Sequence, residues 1–142
     1  MSRVASKPPL GLKPEKPAKT LKGMRRVSAK REAYRKSDAG KAGITHMGKV
    51  KLLPCCICEA FGMIQNSRTE VHHCKSGRYS ARREIDANTI PLCHSHHNKL
   101  KPINGDGDKV GFHNLQESWE ALYGPDYEFI PATRDAVDRL FP

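Results

Sequence analysis

All five cysteines and five of the seven histidines in this chain fall between Cys55 and His97, a span of 43 positions. Thiolates and imidazoles together are what a borderline-soft metal ion asks of its ligands, and little else in a soluble protein requires that density. Two spacings organise the set. Cys55 and Cys58 form a Cys-x-x-Cys pair, and Cys93 with His96 forms a Cys-x-x-His pair after an interval of 34 residues. Four such ligands in two knuckles make a closed tetrahedral zinc site, which contributes folding free energy to a small domain. Ordinary buried thiols are the plainer reading, but two knuckles with two-residue spacers seldom coincide. Cys56 and Cys74 are left over, and Cys56 could replace a neighbour in the zinc shell.

A second set is His72, His73, Asn88 and His97. Successive residues of a strand face opposite ways, so His72 and His73 cannot share one task; one can hold a metal while the other acts as a base. His97 follows the zinc ligand His96, and on a helix its side chain points about 100° away, free for a different ion. The chemistry this permits is phosphodiester hydrolysis. A divalent ion polarises the phosphate and stabilises the leaving 3′ oxygen, while a neutral imidazole, His73, takes a proton from the attacking water. Asn88 would pin the loop and orient the His73 ring. A purely structural binuclear zinc cluster competes with this reading, yet it would need neither His73 nor Asn88. Lys101 stands one turn beyond the last histidine, where a third protein ligand is often found; His113 is the best remaining candidate, against the plainer reading of a surface histidine. Arg78, Arg82 and Arg83 sit in the intervening loop, where guanidinium forks would match phosphate oxygens, although one could pair with Glu84 or Asp86.

The elements that must position these groups follow from pattern. Short strands are expected at Glu70 to Cys74 and at about Asn88 to Pro91, separated by a basic loop hinged at Gly77. A helix over Cys93 to Leu100 carries histidines on its inner side. The order strand, long loop, strand, helix, with His73, Asn88 and His97, is that of the HNH or ββα-metal signature. Upstream, Ile44, Met47, Val50 and Leu53 recur at steps of three and predict an amphipathic helix ending at Pro54, with His46 beside the stripe as a surface or half-packed histidine rather than a ligand. Arg25 to Lys36 has helix-forming residues but few apolar positions, and Ser37 to Gly40 reads as a break. Downstream, residues 101 to 111 read as a turn: Asn104, Asp106 and Asp108 alternate as in a calcium loop but lack its glycine and closing glutamate. Phe112 to Tyr123 predicts a helix with Phe112, Leu115, Trp119 and Leu122 in the core, and a last helix spans about Thr133 to Leu140. The expected architecture is a small α+β fold, a zinc-stabilised ββα-metal core with flanking helices.

Charge is distributed unevenly. Met1 to Lys51 holds 15 Lys and Arg against three acids, +12, whereas Leu52 onward holds 10 against 12, −2. Residues 1–40, rich in proline and lysine, are therefore expected to be a largely disordered DNA-binding arm, with Arg25, Arg26, Lys30 and Arg31 meeting phosphates, and residues 41–142 the nuclease domain. No run of about 18 apolar residues suggests a membrane span, and the N-terminus lacks the apolar centre of a secretory signal, so a cytoplasmic location is expected. Cysteine usage points to metal rather than disulfides.

The runs Leu53-Pro54-Cys55-Cys56-Ile57-Cys58, Val71-His72-His73-Cys74, Gly77-Arg78-Tyr79-Ser80, Arg82-Arg83, Ile90 to His97, Phe112-His113 and Trp119 to Gly124 resemble the bacteriophage recombination-enhancement nucleases. That family is a branch of the HNH superfamily whose founding member is a RecA-dependent DNA endonuclease, and the likeness covers about Ile44 to Tyr127. It implies a structural Zn²⁺, a catalytic Mg²⁺ or Mn²⁺ for which Zn²⁺ can stand in, a basic disordered arm, and DNA cleavage directed by a RecA filament in a phage-infected or prophage-carrying bacterial host. It also implies His113 as a site residue, because the family places an Ile-His or Phe-His pair before the Trp helix; here the loop from Lys99 to Gly111 is longer and more acidic. The rival class is a non-catalytic zinc-dependent nucleic-acid-binding module that aids recombination. A toxin-like or RNA-directed nuclease would use the same residues on another substrate.

Overall fold

The computed structural model describes residues 27–77, 85–98 and 106–142. Arg25, Arg26, Arg78, Arg82 and Arg83, and most of the expected arm, lie outside them. Among the described residues the chain is a small α+β domain of six α-helices around a two-stranded antiparallel sheet. In chain order the elements are α1 (Ala29–Lys36), α2 (Asp38–Val50), α3 (Cys56–Ala60), β1 (Thr69–His73), β2 (Thr89–Cys93), α4 (His94–Asn98), α5 (Gln116–Tyr123) and α6 (Ile130–Leu140), with a 3₁₀ turn at Asp126–Phe129.

The break expected at Ser37 to Gly40 contracts to one residue. The Ser37 amide donates to the carbonyls of Ala33 and Tyr34, closing α1, while its hydroxyl accepts from the Gly40 amide at 3.1 Å and opens α2. Asp38, Ala39 and Gly40 are already helical, and Asp38 suits the positive end of the α2 dipole. Gly40 permits the tight corner, since a Cβ there would lie 1.9 Å from the Tyr34 carbonyl oxygen.

Thr69 pairs with Cys93, Val71 with Pro91, His72 with Ile90 and His73 with Thr89. The strands run slightly ahead of and beyond the expected ranges, and every residue of β2 is buried. Pro91 is tolerated because a two-stranded sheet leaves its outer edge without a ladder to complete. Ile57, Ile90, Leu92, Phe112, Trp119, Tyr123 and Ile130 form the main core with Cys55, Cys58, Cys74 and Cys93; a smaller cluster of Val50, Leu53 and Val137 joins α2 to α6.

The helix expected from Phe112 begins only at Gln116, because the amides of Phe112 and His113 are engaged elsewhere. That change of phase puts Leu115 and Leu122 in solvent, each 55% exposed, while Phe112, Trp119 and Tyr123 are buried. The final helix starts at Ile130, three residues earlier than expected, with Pro131 in its first turn where no amide is needed. His46 is half-buried, as its position beside the α2 stripe suggests.

Gly40→Ala should force α1 away from α2. Hydrogen exchange is expected to show faster exchange of the α1 amides, with the sheet amides unchanged.

Candidate metal centres and active site

The two knuckles come together at the start of α3 and the junction of β2 with α4. Cys58 Sγ lies 3.9 Å from Cys93 Sγ, and the His96 Nδ1 lies 3.5, 3.7 and 3.3 Å from the sulfurs of Cys55, Cys58 and Cys93. A tetrahedral zinc with ordinary bond lengths would place its ligand atoms about 3.8 Å apart for two sulfurs and about 3.6 Å for sulfur and nitrogen. The donor set therefore fits a metal such as zinc. Its protonation chemistry agrees. The hydrogen bond between Cys55 and Cys93 pushes the Cys55 thiol up and the Cys93 thiol down, with His96 adding to the latter, and burial pushes Cys58 up. Of the three, only Cys93 is driven toward the thiolate by these contacts, and a bound dication would let Cys55 and Cys58 ionise as well. Cys56 stands apart, beside an apolar cavity lined by Phe129, Ala132 and Ala136.

The second cluster is His72, His97 and His113, whose ligand atoms lie within 4.8 Å of one another. Each arrives for an identifiable reason. His72 is on the inner face of β1, 1% exposed; its Nε2 is 2.9 Å from Asp126 Oδ2, and its buried Nδ1 has no hydrogen-bond partner among the described residues. Asp126 is itself fixed by the Lys75 and Ser76 amides at 2.7 and 3.1 Å. Burial raises the Asp126 carboxyl, but the bonds from His72 and these amides outweigh it and hold the group below its ordinary range. His97 turns its Nδ1 to Glu70 at 2.7 Å, leaving Nε2 3.0 Å from the Nε2 of His113. Glu70 is partly buried, which pushes its carboxyl up, yet hydrogen bonds from His97, His94 and Asn98 together bring it down to about 2. His113 is delivered by backbone pairing: the Phe112 amide donates to the His96 carbonyl at 2.9 Å and the His113 amide to the His97 carbonyl at 3.1 Å. Burial and then the neighbouring His97 and His72 lower His113 to about 4, so it presents a neutral imidazole near pH 7. Carboxylates behind His72 and His97, with the remaining ring nitrogens converging on those of His113, are an arrangement that could hold a metal ion.

His73 lies on the opposite face of β1. Its Nε2 is 2.8 Å from Asp86 Oδ1, and the pair is mostly shielded, with side chains 15% and 13% exposed. A carboxylate on Nε2–H leaves the lone pair on Nδ1, the form a general base needs. The Tyr34 hydroxyl also donates to Asp86, at 3.3 Å, and α2 makes room through Gly43, where a Cβ would fall 2.7 Å from the Asp86 side chain. The ring partner of His73 is thus Asp86. The Asn88 amide oxygen accepts from Arg134, and its carbonyl accepts the Cys74 amide at 3.4 Å and extends the ladder past His73.

The family model described as recombination enhancement, RecA-dependent nuclease matches residues 40–137. The chain belongs to that family. No curated protein and no solved structure matches. That family description fits DNA and RecA as partners, and no helix among the described residues is long and apolar enough to cross a membrane.

Several residues of this RecA-dependent nuclease were absent from the expected site. Glu70 was accessible in principle, since it shares a strand face with His72 two positions on. Asp86 entered only as a possible arginine partner, and Asp126, 54 residues from His72, left no local trace. Asp106, read as part of a turn, is buried and holds Lys109 at 2.6 Å and Asn66 at 3.0 Å, and accepts from Ser95 of α4.

Asp126→Asn should weaken divalent-metal binding at the three histidines by about 10- to 100-fold while leaving the cysteine-bound zinc stoichiometric. Metal analysis followed by calorimetric titration reads the two sites separately.

Proposed function

We propose that the chain is a metal-dependent HNH DNA endonuclease that hydrolyses phosphodiester bonds in phage recombination or DNA processing, directed by a RecA filament. The observation that carries this reading is the pairing on β1 of a metal-type histidine, His72, with a base-type histidine, His73, each backed by its own carboxylate. Cys55, Cys58, Cys93 and His96 hold a structural Zn²⁺, and His72, His97 and His113 hold the catalytic ion. A divalent ion bound there would supply Lewis acidity toward the phosphate and the departing 3′ oxygen, and three imidazoles suit Zn²⁺ or Mn²⁺ better than Mg²⁺. His73, oriented by Asp86, accepts a proton from water at Nδ1 and holds it as an imidazolium that the Asp86 carboxylate stabilises. Asn88 is best read as a support for the end of the ladder, through Arg134. Arg78, Arg82 and Arg83 follow Gly77 in sequence and are suited to clamp the DNA backbone.

His73→Ala should abolish nicking of DNA, by at least about 10²-fold, with fold and zinc content intact. The assay compares single-stranded and duplex DNA with Mg²⁺, Mn²⁺ or Zn²⁺, with and without a RecA filament. Retained cleavage would remove His73 from its role. No nicking by the unaltered chain under any of these conditions would favour a zinc-dependent binding module instead.

The basic N-terminal segment is proposed as a DNA-binding arm. Since α1 packs against α2 and contributes Lys30 and Arg31 to the folded part, the informative truncation removes residues 1–26, which carry eight Lys and Arg and one Glu. Lower DNA affinity and a shallower salt dependence are expected in a binding titration across ionic strength; an unchanged slope would reject the arm.

A further inference from the structure

A groove of about 820 Å³ lies between α1, α2 and β1, on the side of the sheet that bears His73. Four cations line it: Lys30, Arg31 and Arg35 from α1, and Lys51 at the end of α2. Among the described residues none of the four is engaged in an ion pair. Between them are apolar groups in place of the polar floor that a phosphate surface alone would need. Ile44 is 43% exposed, Ile85 59% and the Tyr34 ring 41%, with Met47 and Val71 beneath. No residue of α1 is buried, so the helix is held out as a wall rather than folded into the core. Among the described residues the one acid on the groove is Asp86, the residue that holds His73.

We propose that this groove binds a single-stranded segment of DNA, its phosphates on the four cations and its bases on Tyr34 and the apolar floor, and so leads the strand to His73. The proposal rests on the nuclease reading above for its biological sense, but not for its test. A duplex hides its base faces, so an apolar floor with an aromatic wall adds nothing to duplex binding, whereas an unpaired strand presents both features the groove matches. Other occupants fit less well. The chain's own residues 1–26 carry eight cations against one acid, and a second copy carries a net charge of +10, so both are repelled by the cations on the groove. The Tyr34 hydroxyl ties the stacking ring to Asp86 at 3.3 Å, and through it a bound base is coupled to the orientation of the His73 ring.

The test uses the full chain carrying His73→Ala, which prevents cleavage during the measurement. Fluorescence anisotropy is followed with a labelled oligothymidine of about 12 nucleotides and with a duplex of equal length. Tyr34→Ala and the double reversal Arg31→Glu, Arg35→Glu should each weaken oligothymidine binding by about tenfold or more, with duplex affinity changed less than about threefold. Tyr34→Phe, which keeps the ring, should bind as the parent does. Lys51 caps the end of α2, so Lys51→Glu carries the charge expectation without depending on the stability of α1. Unchanged oligothymidine affinity in Tyr34→Ala and Lys51→Glu overturns the proposal. Equal losses for duplex and single strand reduce the groove to a general phosphate surface and overturn it as stated, and tighter binding of oligouridine overturns the assignment to DNA. Failure here with nicking intact leaves the nuclease reading standing; failure of nicking with these binding differences present does the reverse.

Discussion

The two backbone hydrogen bonds from Phe112 and His113 to the carbonyls of His96 and His97 hold the functional part of the molecule together. Helix α4 has five residues, too few to be stable by itself, and its last carbonyls have no partner within the helix. Those carbonyls are satisfied by a stretch of chain that returns after residues 99–105, and the Asn114 side chain caps the Asn98 carbonyl at 3.0 Å as well. The same bonds set Phe112 in the core and aim His113 at His97. One local saturation of orphan acceptors therefore stabilises the helix, fills the core and completes the three-histidine cluster.

Because His96 and His97 are neighbours on α4, the two ligand clusters cannot vary independently. His96 faces the three cysteines and His97 faces His72 and His113. Rotation of α4 would damage both at once. Asp106 opposes such rotation: it is buried, is lowered to about 2 by bonds from Lys109, Ser95 and Asn66 that outweigh its desolvation, and accepts from Ser95, which lies between Cys93 and His96 in the chain. A buried carboxylate with three partners is costly to release, so it acts as an anchor for the helix.

What was legible in the sequence is the chemistry with short spacing. Cys-x-x-Cys and Cys-x-x-His place ligands within one turn of each other, so the four-residue cluster can be read without knowing the fold. The alternation of His72 and His73 was legible for the same reason, since a strand has a fixed period of two. His113 lies 16 residues from His97 across a glycine- and aspartate-rich stretch; its spacing is silent, so it is reached only as the best remaining histidine, with the resemblance in support. Asp86 and Asp126 leave no such trace, because a carboxylate that orients an imidazole needs only one good hydrogen bond, which any distant segment can deliver. The phase of α5 was misjudged because apolar residues at helical spacing say nothing about whether the first amides are already taken by another helix.

Strand β1 divides the proposed site into a face bearing His72 and a face bearing His73, and this division depends wholly on register. A slip of one residue would send His73 inward and His72 out, exchanging a group backed by buried Asp126 for one backed by Asp86. The ladder alone, five residues on each strand, is a weak guarantee. Further bonds pin its start: the Thr69 hydroxyl donates to the Leu53 carbonyl at 2.8 Å, and Gln65 donates to Thr69 while accepting the Cys55 amide. Gln65 thereby ties the start of the strand to the first cysteine of the zinc-type cluster. A metal held by Cys55, Cys58, Cys93 and His96 would consequently do more than compensate for a small core. Cys93 is also the ladder partner of Thr69, so fixing both Cys55 and Cys93 in one coordination shell would lock the register that keeps His72 and His73 on their separate faces.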